Sequence, residues 1–263
     1  MSLQSEREDM FKWCVQSPEE PGFHTVVSPE ISDCEVSYIY RLNLKKAQSY
    51  KLKSDKFEMF VALIAGEASV KAVDFAADMK KLDCFYITGN YEATIVAQQD
   101  SIFYIAGAVC EGIGRPFFYH FDKNIPLGDK HQIHGEGTTQ REAYLILDDY
   151  VPTSRLLCGF TSGSDGGWTS WPPHEHSATL EETYCYFDMP APHTGFQLTY
   201  LREGELDNSA VSGVRSGSMA NFPRGYHPTV AAPGTKNTYF WVLTARQPEM
   251  RKYGVTNADP NYL

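Results

Sequence analysis

Short runs of apolar and β-branched residues recur along the chain, and helical periodicity is scarce. Each run is bounded by Gly, Pro, Asn or Asp, which is typical of β-strands. Strands are predicted at 35–42, 58–64, 84–88, 92–97, 101–105, 143–147, 156–160, 182–187, 196–201, 219–223 and 238–244. Only 5–16 and 75–81 have a spacing that predicts short helices. The pattern therefore predicts an all-β fold of sandwiches or barrels.

The two halves of the sequence resemble each other, which composition alone rarely produces. The matching segments are 85–97 with 222–232, 101–107 with 237–244, and 51–61 with 174–185, the last with one residue inserted in the second copy. This alignment pairs Glu58 with Glu182. We expect two β-domains, residues 1–135 and 136–263, joined through the Gly- and His-rich polar stretch 128–141. Two interpretations of His131 and His134 are open: they flank a site at the domain junction, or, as we favour, they belong to a polar linker.

Composition and charge favour a small-molecule ligand. The 263 residues are 42% hydrophobic and 13% aromatic, and the formal net charge is −10. A negative chain repels phosphate backbones and anionic lipids, so nucleic-acid and membrane partners are disfavoured. The longest apolar runs fall short of the roughly 20 residues of a membrane helix. Residues 1–10 lack the apolar region of a secretory signal, which predicts a cytoplasmic protein.

A His-x-His motif, His174 and His176, is the sharpest local pattern. In a strand, residues two apart project from the same face, so both imidazoles can reach one metal ion at about 2.0–2.1 Å. Glu181 and Glu182 follow, and His227 comes after a glycine turn. Three neutral imidazoles and one carboxylate would complete the donor set of a divalent ion.

These motifs resemble those of the cupin superfamily. Segments 167–177 (Gly-Trp-Thr-Ser-Trp-Pro-Pro-His-Glu-His-Ser), 180–184 and 222–234 are similar to the 5-deoxy-glucuronate isomerases of inositol catabolism. The Pro-Pro-His-x-His motif and the aromatic-Asp-Met sequence at 187–189 also resemble 5-keto-4-deoxyuronate isomerase of pectin breakdown. The resemblance implies a bicupin, with two jelly-roll domains in tandem and the metal in the second.

The resemblance assigns the metal to three histidines and one glutamate. The implied ligands are His174, His176, His227 and either Glu181 or Glu182. Counting four residues after the second histidine selects Glu181, whereas alignment of the following strand selects Glu182. We favour Glu182, because it shares a strand face with Tyr184 and Tyr186. The implied cofactor is one divalent ion, zinc first, with manganese, iron or nickel as alternatives.

The first half lacks this donor set. At the positions of the three histidines it carries Lys51, Lys53 and Tyr91. A protonated ammonium group cannot ligate a cation. The N-terminal domain is therefore expected to be metal-free and structural.

A divalent ion with open positions can polarise a carbonyl and its neighbouring hydroxyl, which suits aldose–ketose isomerisation. The resemblance implies an intramolecular oxidoreductase that converts 5-deoxy-glucuronate to 5-dehydro-2-deoxy-gluconate. Candidates for carrying the proton between carbons are Glu181, Tyr184 and Tyr226. Candidates for binding substrate are Arg224, which would hold the carboxylate, with Trp171, Tyr186 and Tyr200.

Alternative functions remain open at this point. They are a 5-keto-4-deoxyuronate isomerase, an Fe(II) cupin dioxygenase and a non-catalytic sugar-binding bicupin. The isomerase is favoured because the resemblance extends beyond the ligands to 171–173 and 226–234. Its partner would be a small uronate, and we expect the chain to form a homo-oligomer.

Overall fold

A computed structural model describes residues 3–263 of the protein. Its α-helix is α1 (Leu3–Phe11), and its short 3-10 helices are Gly137–Thr139, Leu206–Asn208, Pro248–Met250 and Pro260–Tyr262. The strands are β1 (Cys14–Gln16), β2 (Gly22–Val27), β3 (Tyr38–Leu44), β4 (Ser49–Lys53), β5 (Phe57–Ala65), β6 (Ala68–Lys71), β7 (Ala76–Met79), β8 (Cys84–Thr88), β9 (Glu92–Ala97), β10 (Ser101–Val109), β11 (Phe117–Tyr119), β12 (His131–His134), β13 (Arg141–Leu147), β14 (Leu156–Gly163), β15 (Trp168–Thr169), β16 (His174–Glu175), β17 (Leu180–Tyr186), β18 (Gly195–Thr199), β19 (Ala210–Val214), β20 (Ser218–Phe222), β21 (Thr229–Ala231), β22 (Thr238–Ala245) and β23 (Asn257–Ala258). Within residues 3–263, every helix is too short or too polar to cross a bilayer.

The strands form two sandwiches of antiparallel sheets. In the first, a six-stranded sheet (β11-β8-β5-β10-β3-β2) faces a four-stranded sheet (β4-β9-β6-β7). In the second, a seven-stranded sheet (β1-β20-β17-β22-β14-β13-β12) pairs with a four-stranded sheet (β15-β21-β18-β19), and β16 pairs with β23 at the side. The expected all-β tandem architecture is confirmed.

The two large sheets pack against each other and are therefore buried on both faces. Along β10, Phe103 and Ile105 point into the first sandwich, whereas Tyr104 and Ala106 point toward the second. Strand β22 alternates in the same way between the second sandwich and the shared core. Burial on both faces explains why these strands have nearly continuous apolar sequences. Adjacent residues of one strand therefore pack into different cores: one lies inside its own sandwich, and the next lies between the two sandwiches.

Two local predictions were wrong. Segment 75–81 contains an edge strand, Ala76–Met79, that pairs with β6 instead of forming a helix. The helix predicted at 5–16 ends at Phe11, and Cys14–Gln16 extends along β20. In both cases hydrogen bonding to an existing strand outweighs weak local helix propensity.

The boundary between the sandwiches also differs from the expected division at residue 135. Strands β1 and β12 both lie before that point, yet both belong to the second sandwich. Helix α1 packs on β19, where Met10 of the helix and Trp13, which follows it, form a buried cluster with Ala210. The backbone carbonyl of Trp13 accepts hydrogen bonds from the backbone N–H and side-chain amide of Asn221. The start of the chain thus covers an edge of the second sandwich that short-range sequence patterns do not indicate.

Candidate metal and active site

Strand β17 presents its two glutamates to opposite faces of the large sheet. Glu182 shares its face with Tyr184 and Tyr186, because residues two apart in a strand lie on the same side. Both tyrosines belong to the core of the second sandwich, whereas Cys185 belongs to the core shared between the sandwiches. Glu182 is therefore directed into the second sandwich and Glu181 toward the first.

Three histidines converge on Glu182. Its Oε2 lies 3.0 Å from Nε2 of His176 and 2.8 Å from Nε2 of His227. The hydroxyl of Tyr184 donates to the same oxygen at 3.3 Å. His174 completes the group, because its ligand atom and those of Glu182 and His227 lie within 4.8 Å of one another. The tertiary structure thus gathers residues from β16, the segment that follows it, β17 and the turn after β20.

Backbone carbonyls orient two of the imidazole rings. Nδ1 of His174 lies 2.9 Å from the carbonyl oxygen of Pro172, and Nδ1 of His227 lies 2.9 Å from that of Gly225. A ring that donates through Nδ1 leaves the lone pair of Nε2 available for a metal. Burial, together with the rings of His227 and His176, lowers the pKa of His174 to about 3, so this ring is neutral.

The carboxylate of Glu182 stays ionised despite its burial. Burial alone would raise its pKa, but the hydrogen bonds and charges of His176 and His227 hold it below its ordinary range. Three imidazoles that converge on an ionised carboxylate are a donor set that suits a divalent first-row metal. On this chemistry the four side chains fit the expected ion.

A glycine turn brings His227 into the cluster. Gly225 has a φ of +88°, and a Cβ at this position would lie 2.6 Å from the carbonyl oxygen of Tyr200. Both constraints favour glycine. The His227 ring then stacks on Phe222 with centroids 4.5 Å apart and is fully buried. The turn and the ring stack together fix the direction of the imidazole.

The cluster forms part of the lining of a cavity of about 290 Å³ in the second sandwich. His174, His176 and Glu182 share this lining with Trp171 and Tyr184. Further walls come from residues that were not among the predicted site residues: His134, Arg141, Tyr239, Trp241 and Tyr253. The alternation of aromatic residues in β22 could have indicated Tyr239 and Trp241. The role of His134 was missed because the polar segment before residue 141 was interpreted as a linker.

Glu181 lies outside this cavity, which corrects its candidate role in proton transfer. It is fully buried, and its carboxylate accepts hydrogen bonds from the backbone N–H groups of Glu35, Val36 and Ser37. The hydroxyl of Ser37 donates to it as well, at 2.8 Å. With both oxygens engaged on the far side of the sheet, this carboxylate cannot reach a substrate beside the histidines.

Four other candidates also lie apart from the histidine cluster: Arg224, Tyr226, Tyr200 and Tyr186. Arg224 is exposed, and its guanidinium lies over the ring of Trp13 at 5.0 Å from the centroid. It lines a separate surface cavity together with Tyr226. Tyr226 stacks on Tyr200, whose hydroxyl donates to Asp259 at 2.9 Å.

Tyr186, although it shares the face of Glu182, is buried deeper than the cavity. Its hydroxyl is hydrogen-bonded to the side chains of Gln197 and Thr229. Of the sequence-derived candidates beyond the ligands, Trp171 and Tyr184 line the cavity.

Comparison with known proteins identifies the family. A family model described as KduI/IolB matches residues 13–261. This chain belongs to the KduI/IolB family. Among curated relatives of this KduI/IolB protein, the 5-deoxy-glucuronate isomerase of Bacillus licheniformis is 29% identical over 263 residues, covering 92% of each chain. That of Geobacillus kaustophilus is 27% identical over 245 residues, covering 86% of each chain.

Solved structures with the same fold extend this result. The crystal structure of an IolB-like protein from Salmonella typhimurium LT2 aligns with a TM-score of 0.82 at 24% identity, covering 95% of this KduI/IolB chain and 97% of that one. Oxalate decarboxylase of Bacillus subtilis aligns with a TM-score of 0.62 at 12% identity, covering 93% of this chain and 78% of that one. At these identities the likeness shows the shared tandem fold.

Proposed function

We propose that this protein is a metal-dependent sugar-acid isomerase that converts 5-deoxy-glucuronate to 5-dehydro-2-deoxy-gluconate in myo-inositol catabolism. The convergence of three imidazoles on one carboxylate beside the cavity is the observation that carries the proposal. Relatives that align along most of the chain carry the name 5-deoxy-glucuronate isomerase, which supports this substrate. The cytoplasmic location and homo-oligomeric state expected from the sequence stay predictions.

We assign the metal to His174, His176, Glu182 and His227, with zinc favoured. A divalent ion bound there would polarise the substrate carbonyl and the adjacent hydroxyl. Manganese(II) centres are described for the oxalate decarboxylase of Bacillus subtilis, which supports a metal in this fold. The orientation of His174 and His227 by backbone carbonyls would keep their Nε2 atoms directed at the ion.

The reaction moves one proton between adjacent carbons and needs no oxidant. Removal of the C2 proton leaves an electron pair that forms a C1–C2 double bond while the carbonyl pair moves to O1. Return of a proton to C1 and transfer of the O2 proton to O1 then give the ketose, with its carbonyl at C2 and a hydroxyl at C1. Of the three candidate proton carriers, Tyr184 is the one whose side chain lines the cavity. Trp171 forms the wall beside His174 and would exclude water from the substrate.

Proton NMR tests the substrate directly. The zinc-loaded protein is incubated in D2O with 5-deoxy-glucuronate and, separately, with 5-keto-4-deoxyuronate. Conversion of the first substrate is expected, with deuterium entering C1 where the carried proton exchanges with solvent. Conversion of the second substrate alone would favour the pectin pathway. Oxygen consumption by the iron-loaded protein, or failure to convert either sugar, would overturn the isomerase.

A further inference from the structure

One wall of the cavity is a hairpin of two strands that carries a histidine and an arginine side by side. Strands β12 and β13 are antiparallel, and His134 lies directly opposite Arg141 in their register. Both side chains line the cavity that holds His174 and Glu182. The hairpin thus adds hydrogen-bond donors to a site whose single carboxylate is already engaged by histidines.

Arg141 has donors to spare. Its Nη1 donates to the carbonyl oxygen of Trp171 at 3.0 Å, which steadies the side chain against the segment leading to His174. Among residues 3–263, Nε and Nη2 make no hydrogen bond, and no carboxylate lies within 4.0 Å of the guanidinium. A half-buried cation without a counter-charge is costly. An anionic group in the cavity would supply that counter-charge.

His134 presents a second unsatisfied group. Its Nε2 is buried and has no hydrogen-bond partner among the described residues. Leaving a buried polar atom unpaired is unfavourable, so such atoms generally meet a ligand or water. Burial and the charge of Arg141 lower the pKa of His134, so the neutral ring has one N–H to donate.

We propose that Arg141, assisted by His134, binds the carboxylate of the substrate and so makes the site selective for sugar acids over neutral sugars. For the identity of the sugar this inference rests on the proposed function. The planar edge formed by Nε and Nη2 matches the two oxygens of a carboxylate in a bidentate pair. Nε2 of His134 donates to the same group. In this arrangement the histidine cluster lies at the carbonyl end of the sugar, and the hairpin holds its carboxylate end.

This assignment replaces Arg224, the arginine that the sequence suggested for the carboxylate. Arg224 lines a different cavity and its guanidinium is stacked on Trp13. The two arginines therefore form a matched pair for a test. Each loses one positive charge in an Arg→Met change of similar side-chain length, but only one of them faces the histidine cluster.

Calorimetric titration of the zinc-loaded protein with glucuronate and with glucose measures the selectivity without requiring turnover. The two sugars differ only in carrying a carboxylate or a hydroxymethyl group. The unchanged protein should bind glucuronate about tenfold or more tightly, as expected for hydrogen bonds to a charged group. Arg141→Met, loaded with zinc to the same content, should remove that preference, expressed as the ratio of the two affinities, whereas Arg224→Met should retain it. His134→Phe should reduce it.

Several results separate this inference from the proposed function. Equal affinity for the two sugars in the unchanged protein, no detectable binding of either, or a preference that survives Arg141→Met would overturn the inference. Loss of the preference in Arg224→Met instead would overturn it too. If the Arg141-dependent preference is present while 5-deoxy-glucuronate is not isomerised, the inference stands and the proposed function fails.

Discussion

Glu58 and Glu181 occupy equivalent positions in the two halves of the protein. Each carboxylate accepts hydrogen bonds from three consecutive backbone N–H groups of the other half, just before a long strand. Glu181 accepts those of Glu35 to Ser37, which precede β3. Glu58 accepts those of Ser154 to Leu156, at the start of β14. The pair forms a reciprocal connection between the sandwiches.

This relationship corrects the internal alignment of the sequence. If Glu58 corresponds to Glu181, the inserted residue is unnecessary, and Met59 corresponds to Glu182. The burial pattern agrees, because Met59 faces the core of the first sandwich as Glu182 faces the second. At this position the first sandwich therefore carries the thioether of Met59, and the second carries the carboxylate of Glu182.

Glu181→Gln and Glu182→Gln should have different effects although the two residues are adjacent. The first should lower the free energy of unfolding by about 2 kcal/mol, because a neutral amide is a weaker acceptor for buried N–H groups. Metal content should not change. The second should abolish metal binding and turnover. Urea unfolding and metal analysis measure both, and loss of metal in Glu181→Gln would contradict the assignment of the two faces.

His174→Ala should lose metal and turnover together. Removal of a partner that only orients a ligand typically lowers metal affinity about 10–100-fold, and removal of a ligand should cost more. Zinc should raise the melting temperature of the unchanged protein, since a ligand that binds only the folded state stabilises it, but not that of the variant. His120→Ala, at an exposed histidine near Asp83, is the control. Full activity in His174→Ala would end the proposed mechanism.

Metal analysis should give one divalent ion per chain. In the first sandwich, Lys51 and Lys53 form ion pairs with Glu92 on the surface, and Tyr91 donates to Asp74. Together with Met59 they cannot provide the donor set of the second sandwich. A second ion that persists in the Glu182→Gln variant would contradict this expectation.

Trp13→Ala should destabilise the protein by about 3–5 kcal/mol, as is typical when a buried large aromatic residue is truncated. Trp13 is 3% exposed, and its indole N–H donates to Asp33 at 2.9 Å. Phe11→Ala is the matched control, because Phe11 is 44% exposed and should change stability by less than about 0.5 kcal/mol. Chemical unfolding compares them, and equal effects would show that α1 and the residues after it contribute little to the second sandwich.

The sequence by itself determined most of the long strands, the existence of a tandem repeat and the histidines of the site. Strand 92–97 was predicted at its observed bounds, because a short run with β-branched residues lies between Asn90 and Asp100, and its side chains then alternate between the two faces of the strand. His174 and His176 were evident because a two-residue spacing is a local property of one short segment. The choice of Glu182 over Glu181 rested on the same alternation, which assigns each residue to a face.

Only the tertiary structure decided what each face meets. Alternation cannot tell that the far side of β17 packs against residues 35–37, or that the polar stretch containing His134 pairs with β13 and closes the cavity. Arg141 and Arg224 are equivalent as isolated residues, yet one lines the histidine cavity and the other stacks on Trp13. Such contacts join segments far apart in the chain, and they depend on how the sheets pack, for which local periodicity carries no information.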